Sequence, residues 1–444
     1  MIDKRLSLKD VQEFAEGRID FIDKMVAEFG NLFQLKLLWI DLLVVCEPKL
    51  MRELLVKNVT RVHKEKRTNN IVRRITGDSM LTTEGETWKR KRKLAQPAFH
   101  ASRIKTYVDV MAAYTHEMVS KWTSGDSYAI DKAFQALTMR IITKTMFDVD
   151  IVEDAEEIGR NITTALQIAQ DQLGATVLPP AWIPTANNRK QKQALSGVQD
   201  VLKRIIDERK QSGRDQGDLL SMLIQARDEN GDSLSDQELL DESLTVFGAG
   251  HETTAALMTW AAYLLTQHPA AAAKLKAEVD NVLGDEPVSF EALAHLTYTE
   301  SFIKEALRLY PPAFGAGRVA IEDFTLGARE VKKGTVILLS FYHMHRSADY
   351  FPEPNRFWPE RWSADQPQPE RYAYIPFGAG PRVCVGNMFA MMEAQVILAT
   401  LIQNVELTLL SKHVEKSEQF TLKPKDPIHV RIVQRKHTQN SANT

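Results

Sequence analysis

The segment from Ser235 to His268 constrains the fold more than any other part of the sequence. Ser235 and Glu238 form the S-x-x-E pattern of a capping box, and Pro269 follows the last turn, so one helix is predicted between them. At about 1.5 Å per residue this helix spans roughly 50 Å, the full depth of a domain. Its middle, LTVFGAGHETTAALMTWAAYLL, is apolar on most faces, so we expect it to run through a protein core.

The rest of the chain supplies further helices and a few short strands. Helical patterns dominate from about residue 86 to 310, and NMFAMMEAQVILATLI predicts a second apolar helix. Strand patterns are confined to portions near 30–62, 313–345 and 405–435. The sequence shows no internal repeat and no long Gly/Ser linker. We therefore predict a single domain over 1–444, mainly α with small β-sheets (α+β).

Composition narrows the cellular setting. The 444 residues carry 56 Lys and Arg against 58 Asp and Glu, which gives no reason to expect a nucleic-acid partner. Cys46 and Cys384 cannot form a disulfide framework, which favours a reducing compartment. The N-terminus lacks an apolar signal core, and LFQLKLLWIDLLVV, which contains Lys36 and Asp41, is shorter than a membrane span. We expect a soluble, cytoplasmic monomer without a membrane anchor.

One of the two cysteines lies in FGAGPRVCVGN, Phe377 to Asn387. Gly378 and Gly380 permit positive φ angles and Pro381 stiffens the chain, so Cys384 is predicted on a tight loop. The helix that follows favours negative charge at its start and would stabilise a thiolate. Zinc would need three more protein ligands, for which no C-x-x-C or H-x-x-x-H spacing exists. Haem iron needs only one protein ligand.

FGAGPRVCVG matches F-x-x-G-x-R-x-C-x-G at every fixed position and so resembles the signature of the haem-thiolate monooxygenases, the cytochromes P450, of the soluble bacterial type. The resemblance implies haem b between the long central helix and the helix after the cysteine loop, with Cys384 as the axial iron ligand. It also implies that Phe377 packs near the sulfur, that Arg382 pairs with a haem propionate, and that Gly386 lets the helix approach the porphyrin. The alternative is an inert thiol, as most lone cysteines are.

Further cations fit the same resemblance. In TWKRKRKLAQPAF, Trp88 and Arg92 lie on one helical face and resemble the family's W-x-x-x-R segment, whose side chains reach haem propionates. Arg318, in PPAFGAGRV, resembles a third propionate-binding arginine. The two propionate carboxylates of a buried haem call for two or three cations. The alternative is that Trp88 is a core residue and Arg92 a surface charge.

The same segment carries Lys89, Arg90, Lys91 and Lys93. These side chains form either a solvated face or the surface on which the family docks an acidic electron donor.

EALRLYPP and FWPERW resemble a structural network of the family. Glu305 and Arg308 share a helical face, and the resemblance adds Arg361 in a buried cluster behind the haem. We expect a role in folding rather than in catalysis. Trp362 occupies a position where the family usually has Phe.

AGHETT, Ala249 to Thr254, matches the family's [AG]-G-x-[DE]-T-[TS] segment. Gly250 weakens the helix, and Thr253 can bond back to the Ala249 carbonyl, so a local widening is expected. By resemblance this groove holds dioxygen and water, while Glu252 and Thr253 are the catalytic residues that relay protons. The alternative, a core helix with a tolerated glycine, leaves Glu252 unexplained, since buried carboxylates are costly unless paired.

The resemblance implies a monooxygenase that inserts one atom of O2 into a lipophilic substrate, by hydroxylation or epoxidation of a fatty acid, terpenoid, carotenoid or steroid. NAD(P)H-derived electrons would come from a ferredoxin or flavodoxin with its reductase, because no segment is left for a fused reductase. Two alternatives stay open. One is a peroxygenase or hydroperoxide isomerase on the same fold, which does not need the relay. The other is a haem sensor without turnover.

By resemblance the substrate pocket draws on five parts of the chain: 68–82, 170–185, Val246 with Ala249, Ala313 to Ala316, and Glu418 to Thr421. Apolar residues dominate these segments, which favours a lipophilic substrate. The first segment also contains two arginines, Arg73 and Arg74, that either bind a carboxylate or are solvated.

Overall fold

The computed structural model describes residues 2–37, 39–100, 104–148, 152–175 and 178–435. Helices make up most of this part of the chain. The α-helices are Leu8–Glu16, Arg18–Phe29, Pro48–Arg52, Lys66–Thr76, Gly85–Ala95, Val108–Ser120, Ile130–Phe147, Val152–Gly174, Ala186–Ser212, Leu219–Gln225, Asp236–Gln267, Pro269–Leu283, Phe290–Leu293, Thr297–Leu309, Phe341–His345 and Asn387–Asn404. A π-helical turn, Glu53–Lys57, and short 3₁₀ turns at Val59–Arg61, Gln96–Phe99, Lys105–Tyr107, Pro359–Trp362 and Gly380–Arg382 complete the helical content.

The predicted central helix is confirmed over Asp236–Gln267. The Ser235 hydroxyl accepts a hydrogen bond from the Glu238 backbone N–H at 3.2 Å, and the Glu238 carboxylate accepts one from the Ser235 N–H at 2.9 Å. The capping box therefore fixes the start of the helix. Most of its side chains are buried, as an apolar interior helix requires.

The central helix packs closely on the helix Ile130–Phe147. A Cβ added to Gly250 would lie 2.8 Å from Ile142 Cδ1, which is too close for a carbon contact. A larger residue at position 250 would therefore require the Ile142 side chain to shift. The helix stays α-helical from Asp236 to Gln267, so the widening expected at Gly250 does not take the form of a change in helix type.

Within the residues that the structure describes, four small sheets accompany the helices. The largest has the strand order Lys4–Arg5, Leu32–Leu37, Ile40–Val45, Val336–Ser340, Gly315–Ala320 and Val62–Lys64. A three-stranded sheet joins Val405–Leu409, His429–Gln434 and Ser127–Ala129, and two hairpins pair Phe324–Leu326 with Arg329–Val331 and Lys416–Glu418 with Leu422–Pro424.

Strands lie in all three portions that carry strand patterns, with local differences. Lys4–Arg5 and Ser127–Ala129 form strands outside them, because both are short edge strands that gain their order from pairing rather than from a pattern of their own. The strand at Val336–Ser340 ends where the helix Phe341–His345 begins, earlier than its β-branched content indicates. Within the described part of the chain, no helix is both long and apolar enough to span a bilayer.

The predicted structural network is present and fully buried. Glu305 and Arg308 pair at 2.8 Å with both side chains inaccessible to solvent, and Arg361 approaches Glu305 at 3.4 Å. Trp358 donates its backbone N–H to Glu305 at 3.0 Å, and Trp362 donates its indole N–H at 3.0 Å. Two guanidinium groups and two N–H groups thus satisfy one buried carboxylate, which is the condition for such a charge to be tolerated.

Candidate haem and oxygen site

The loop that carries Cys384 has the positive φ angles that its glycines predict. Gly378 and Gly380 adopt φ angles of 72° and 70°. A Cβ on Gly380 would overlap the Leu55 carbonyl oxygen, so only glycine fits against this neighbouring turn. The Cys384 N–H donates to the Phe377 carbonyl at 2.9 Å, which closes the loop and brings Phe377 beside the cysteine.

The thiol of Cys384 is accessible and lies just before the helix Asn387–Asn404. The surrounding protein raises the thiol pKa by burial, while the Gly386 N–H and Arg92 lower it. A bound metal ion would add a positive charge beside this thiol and would lower its pKa.

A cluster of cations surrounds this loop. The Arg382 guanidinium lies 3.8 Å from the centre of the Trp88 ring, donates to the Thr83 carbonyl at 3.0 Å and forms an ion pair with Glu84. Arg92 donates to the carbonyl of Val383 at 2.9 Å, one residue before the cysteine. The structure therefore brings Trp88, Arg92 and Arg382 together at the Cys384 loop.

Arg318 joins the same cluster from the large sheet. Burial lowers the pKa of Arg382 to about 10; Glu84 opposes that shift, and the nearby charges of Arg318 and Arg92 add to it. Arg382 is thus close enough to Arg318 and to Arg92 to be repelled by both.

Lys64 is a fourth cation that the sequence interpretation missed. It lies opposite Arg318 in the pairing of Val62–Lys64 with Gly315–Ala320, and its backbone N–H donates to the Glu84 carboxylate at 2.9 Å. Burial and the charge of Arg382, with a smaller effect of Arg318, lower the pKa of its ammonium group to about 7 against the influence of Glu84. Only the strand register places Lys64 here, so no local signal in the sequence could have found it.

The composition of this cluster fits a haem group. Lys64, Arg318 and Arg382 lie around one carboxylate, Glu84, and Arg92 lies near Arg382, so positive charge is in excess in a partly buried place. A ligand with two carboxylates would balance that excess. Across the residues that the structure describes, no three His, Cys, Asp or Glu side chains are grouped to hold a metal by themselves. Haem, when bound, supplies both the propionates and the iron that activates dioxygen.

On the central helix, the Thr253 hydroxyl donates to the Ala249 carbonyl at 2.8 Å, which confirms the predicted back-bond. Ala249 is exposed although most of this helix is buried. Ala249 and Thr253 therefore face accessible space inside an otherwise packed core.

Glu252 has partners that explain a carboxylate on this apolar helix. The Thr421 hydroxyl donates to it at 3.2 Å, and the Lys423 ammonium lies 3.4 Å away. Glu252 also borders a cavity of about 30 Å³, lined by Gln135, Thr163, Leu166, Gln167, His251, Glu252, Gln419, Phe420 and Lys423. The two predicted relay side chains thus bond to different partners, Glu252 to the hairpin of Lys423 and Thr253 to its own helix.

The basic cluster near Trp88 is not a free basic surface. Lys89 pairs with Glu86, Arg90 with Asp228 and Glu238, and Lys93 with Glu229. Lys91 is buried and donates to the Asp78 carbonyl. Because each of these cations has an acidic neighbour, and Lys91 is also buried, the four residues present little uncompensated positive charge to an acidic electron donor. These pairs favour the interpretation of the segment as a solvated face.

The charged side chains of the expected pocket segments bond to different kinds of partner. Arg73 pairs with Asp78, whereas Arg74 donates to the Pro179 carbonyl at 2.8 Å. The Glu418 carboxylate accepts the Ile19 N–H at 2.9 Å and so anchors the N-terminal helices. The part of 170–185 at 176 and 177 lies outside the described residues.

The chain is similar to known proteins of one family. The family profile described as Cytochrome P450 matches residues 6–431. Cyclooctat-9-en-7-ol 5-monooxygenase of Streptomyces melanosporofaciens is 35% identical over 84% of this chain and 81% of its own length. Pentalenene oxygenase of Streptomyces avermitilis is 30% identical over 86% of this chain and 85% of its own.

Solved structures show the same fold. The cytochrome P450DA heme domain aligns with a TM-score of 0.87 at 26% identity, over 95% of this chain and 93% of that one. The retinoic acid bound cyanobacterial CYP120A1 aligns with a TM-score of 0.83 at 25% identity, over 94% of each chain. The chain therefore belongs to the cytochrome P450 family and is a haem-dependent monooxygenase that acts on a lipophilic organic substrate.

Proposed function

We propose that this enzyme inserts one oxygen atom into a terpenoid. The proposal is supported by two relatives whose names give an oxygenase of a cyclic hydrocarbon or its alcohol, and by a similar structure bound to an isoprenoid acid. The observation that carries the chemistry is the accessible Cys384 thiol on a loop surrounded by four cations.

We assign the haem-binding roles as follows. Cys384 would bind the haem iron, and Arg92, Arg318, Arg382 and Lys64 would hold the two propionates. Trp88 stacks on the Arg382 guanidinium and keeps it in place. The resemblance further assigns Phe377, Gly386 and Ala249 to the borders of the haem.

Thr253 and Glu252 are the proposed proton-handling residues. Thr253 Oγ1 keeps its proton on the Ala249 carbonyl until a better acceptor is near. Glu252 is held by Lys423 and borders a small cavity that is large enough for a water molecule. In this assignment Glu252 exchanges protons with water in that cavity. The Thr253 hydroxyl delivers a proton beside Ala249 and takes one back from water.

Electrons are proposed to come from NAD(P)H through a separate ferredoxin or flavodoxin with its reductase. The two cysteines of the sequence cannot hold an iron–sulfur cluster, and one of them is assigned to the haem. The proposed setting is a cytoplasmic monomer.

The test is turnover under ¹⁸O₂ with a ferredoxin, its reductase and NADPH, using a panel of cyclic terpenes, terpene alcohols, fatty acids and steroids. We expect a terpenoid to shift the ferric Soret band to the blue and to give a product with one ¹⁸O atom. Products from fatty acids or steroids alone would contradict the substrate class. Faster turnover with peroxide than with the reductase system would contradict the monooxygenase cycle.

A further inference from the structure

A second, larger cavity lies between the helices Lys66–Thr76 and Ala186–Ser212, away from the Cys384 loop. Its volume is about 270 Å³. The lining residues are Arg74, Ala181, Asn188, Gln191, Lys192, Leu195, Ser196 and Gln199. This lining contains two cations and several neutral polar groups, and it contains no carboxylate.

The two cations have little to bind within the protein. Arg74 donates from Nη2 to the Pro179 carbonyl, while its buried Nη1 has no hydrogen-bond partner in the described residues. Burial alone lowers the pKa of Arg74, with no acidic neighbour to oppose it. Lys192 is exposed and forms no ion pair within the described part of the chain. The adjacent Arg73, by contrast, is paired with Asp78.

An apolar cluster separates this cavity from the cavity at Glu252. Leu195 lines the larger cavity and packs with Ile71 and Ile75. Leu166 and Phe420 pack against the same cluster and line the smaller cavity at Glu252. An elongated ligand whose polar end lies at Arg74 would therefore place its apolar part against this cluster, which extends from the larger cavity to the cavity at Glu252 on the central helix.

We infer that the larger cavity binds the carboxylate of an amphiphilic ligand, with Arg74 and Lys192 as the recognition residues. The Arg74 guanidinium and the Lys192 ammonium group complement a carboxylate, and no acidic side chain lines the cavity to compensate their charge. The inference deepens the proposed function by adding an acid group to the substrate class, and it depends on that function only for the direction of the apolar tail.

Isothermal titration calorimetry on the haem-loaded protein tests this without turnover. The probes are dodecanoate, dodecanol and inorganic phosphate. We expect dodecanoate to bind at least about tenfold more tightly than dodecanol, and Lys192→Gln to remove about five- to tenfold of that preference. Lys190→Gln, which removes an exposed charge from the same helix but not from the cavity lining, should leave both affinities within about twofold.

Arg74→Gln should weaken dodecanoate binding in the same way, whereas Arg74→Lys, which keeps the positive charge at the cavity, should retain most of it. Equal affinity for acid and alcohol, or an unchanged dodecanoate affinity in Lys192→Gln, would overturn the inference. Phosphate binding that depends on Lys192, without any preference for dodecanoate over dodecanol, would assign the cavity to a free anion and would also overturn it. None of these outcomes depends on whether a terpenoid is oxidised.

Discussion

The indole N–H of Trp362 donates a hydrogen bond to the Glu305 carboxylate at 3.0 Å. Phe, which the family usually has at this position, could not make this bond. Glu305 is wholly buried and also accepts bonds from Arg308 and from the Trp358 backbone. The substitution therefore adds a donor to a buried charge, and it is more than an exchange of one aromatic ring for another.

Trp362→Phe should consequently destabilise the protein although the family tolerates Phe there. We expect a loss of about 1–3 kcal/mol in the free energy of unfolding, measured by urea denaturation, because a buried carboxylate loses one donor. Trp358→Phe is the matched control, since the Trp358 backbone N–H, which bonds Glu305, is kept. Equal losses in both variants would show that ring size rather than the hydrogen bond matters.

Glu393 is a buried acid on the helix after the cysteine loop, and its hydrogen-bond partner is the Thr254 hydroxyl on the central helix. Burial raises the pKa of the Glu393 carboxyl to about 8, although the hydrogen bond with Thr254 acts to lower it. Because the folded-state pKa lies above the unfolded one, the folded protein retains a proton that the unfolded chain loses as pH rises. Glu393 therefore reduces stability progressively from about pH 5 to pH 8.

Glu393→Gln should remove this pH dependence. The variant should gain about 3 to 4 kcal/mol relative to the wild type between pH 5 and pH 8, an upper value from the size of the shift. Urea unfolding at several pH values measures it, and a protonated-carboxyl infrared band at neutral pH, absent in the variant, checks the cause. Parallel pH profiles for the two proteins would contradict the assignment.

Lys64 should contribute to haem retention. Lys64→Met removes one of the four cations of the cluster, so we expect haem to transfer to an apo-globin acceptor about tenfold faster. Lys66→Met, an exposed change two residues away, should leave the rate unaltered. An unchanged rate in Lys64→Met would remove this residue from the propionate site.

Thr253 should control the fraction of NADPH electrons that goes into product rather than into hydrogen peroxide. Thr253→Ala should keep the haem spectrum but divert several-fold more NADPH into hydrogen peroxide, because the proposed proton donor is lost. Thr259→Ala is a matched control, since Thr259 makes the same back-bond, to Ala255 at 2.7 Å, farther along the helix. Unchanged coupling of NADPH use to product in Thr253→Ala would count against the relay.

The parts of the site that lie within short motifs could be predicted from sequence. The Cys384 loop, the Glu305–Arg308 pair and the Thr253 back-bond each depend on residues a few positions apart, and spacing on a turn or helix determines their partners. The central helix is equally clear because its cap and its apolar middle agree.

Residues whose partners come from distant segments could not be predicted in this way. Lys64 reaches the cluster through strand register, and Glu252 is satisfied by Lys423, far along the chain. Arg90 finds Asp228 and Glu238 across an interface between helices, so a basic run in the sequence is no basic surface in the fold. Pairing of this kind depends on tertiary packing, which local spacing does not specify.

The ferrous carbon monoxide spectrum tests the central claim, thiolate ligation by Cys384, most directly. The wild type and Cys46→Ala, which changes the other, buried cysteine, should both show the strong red shift of the Soret band that a thiolate ligand causes. Cys384→Ala should lose that band or the haem itself. A red-shifted band that persists in Cys384→Ala, or its absence from the haem-loaded wild type, would contradict the account.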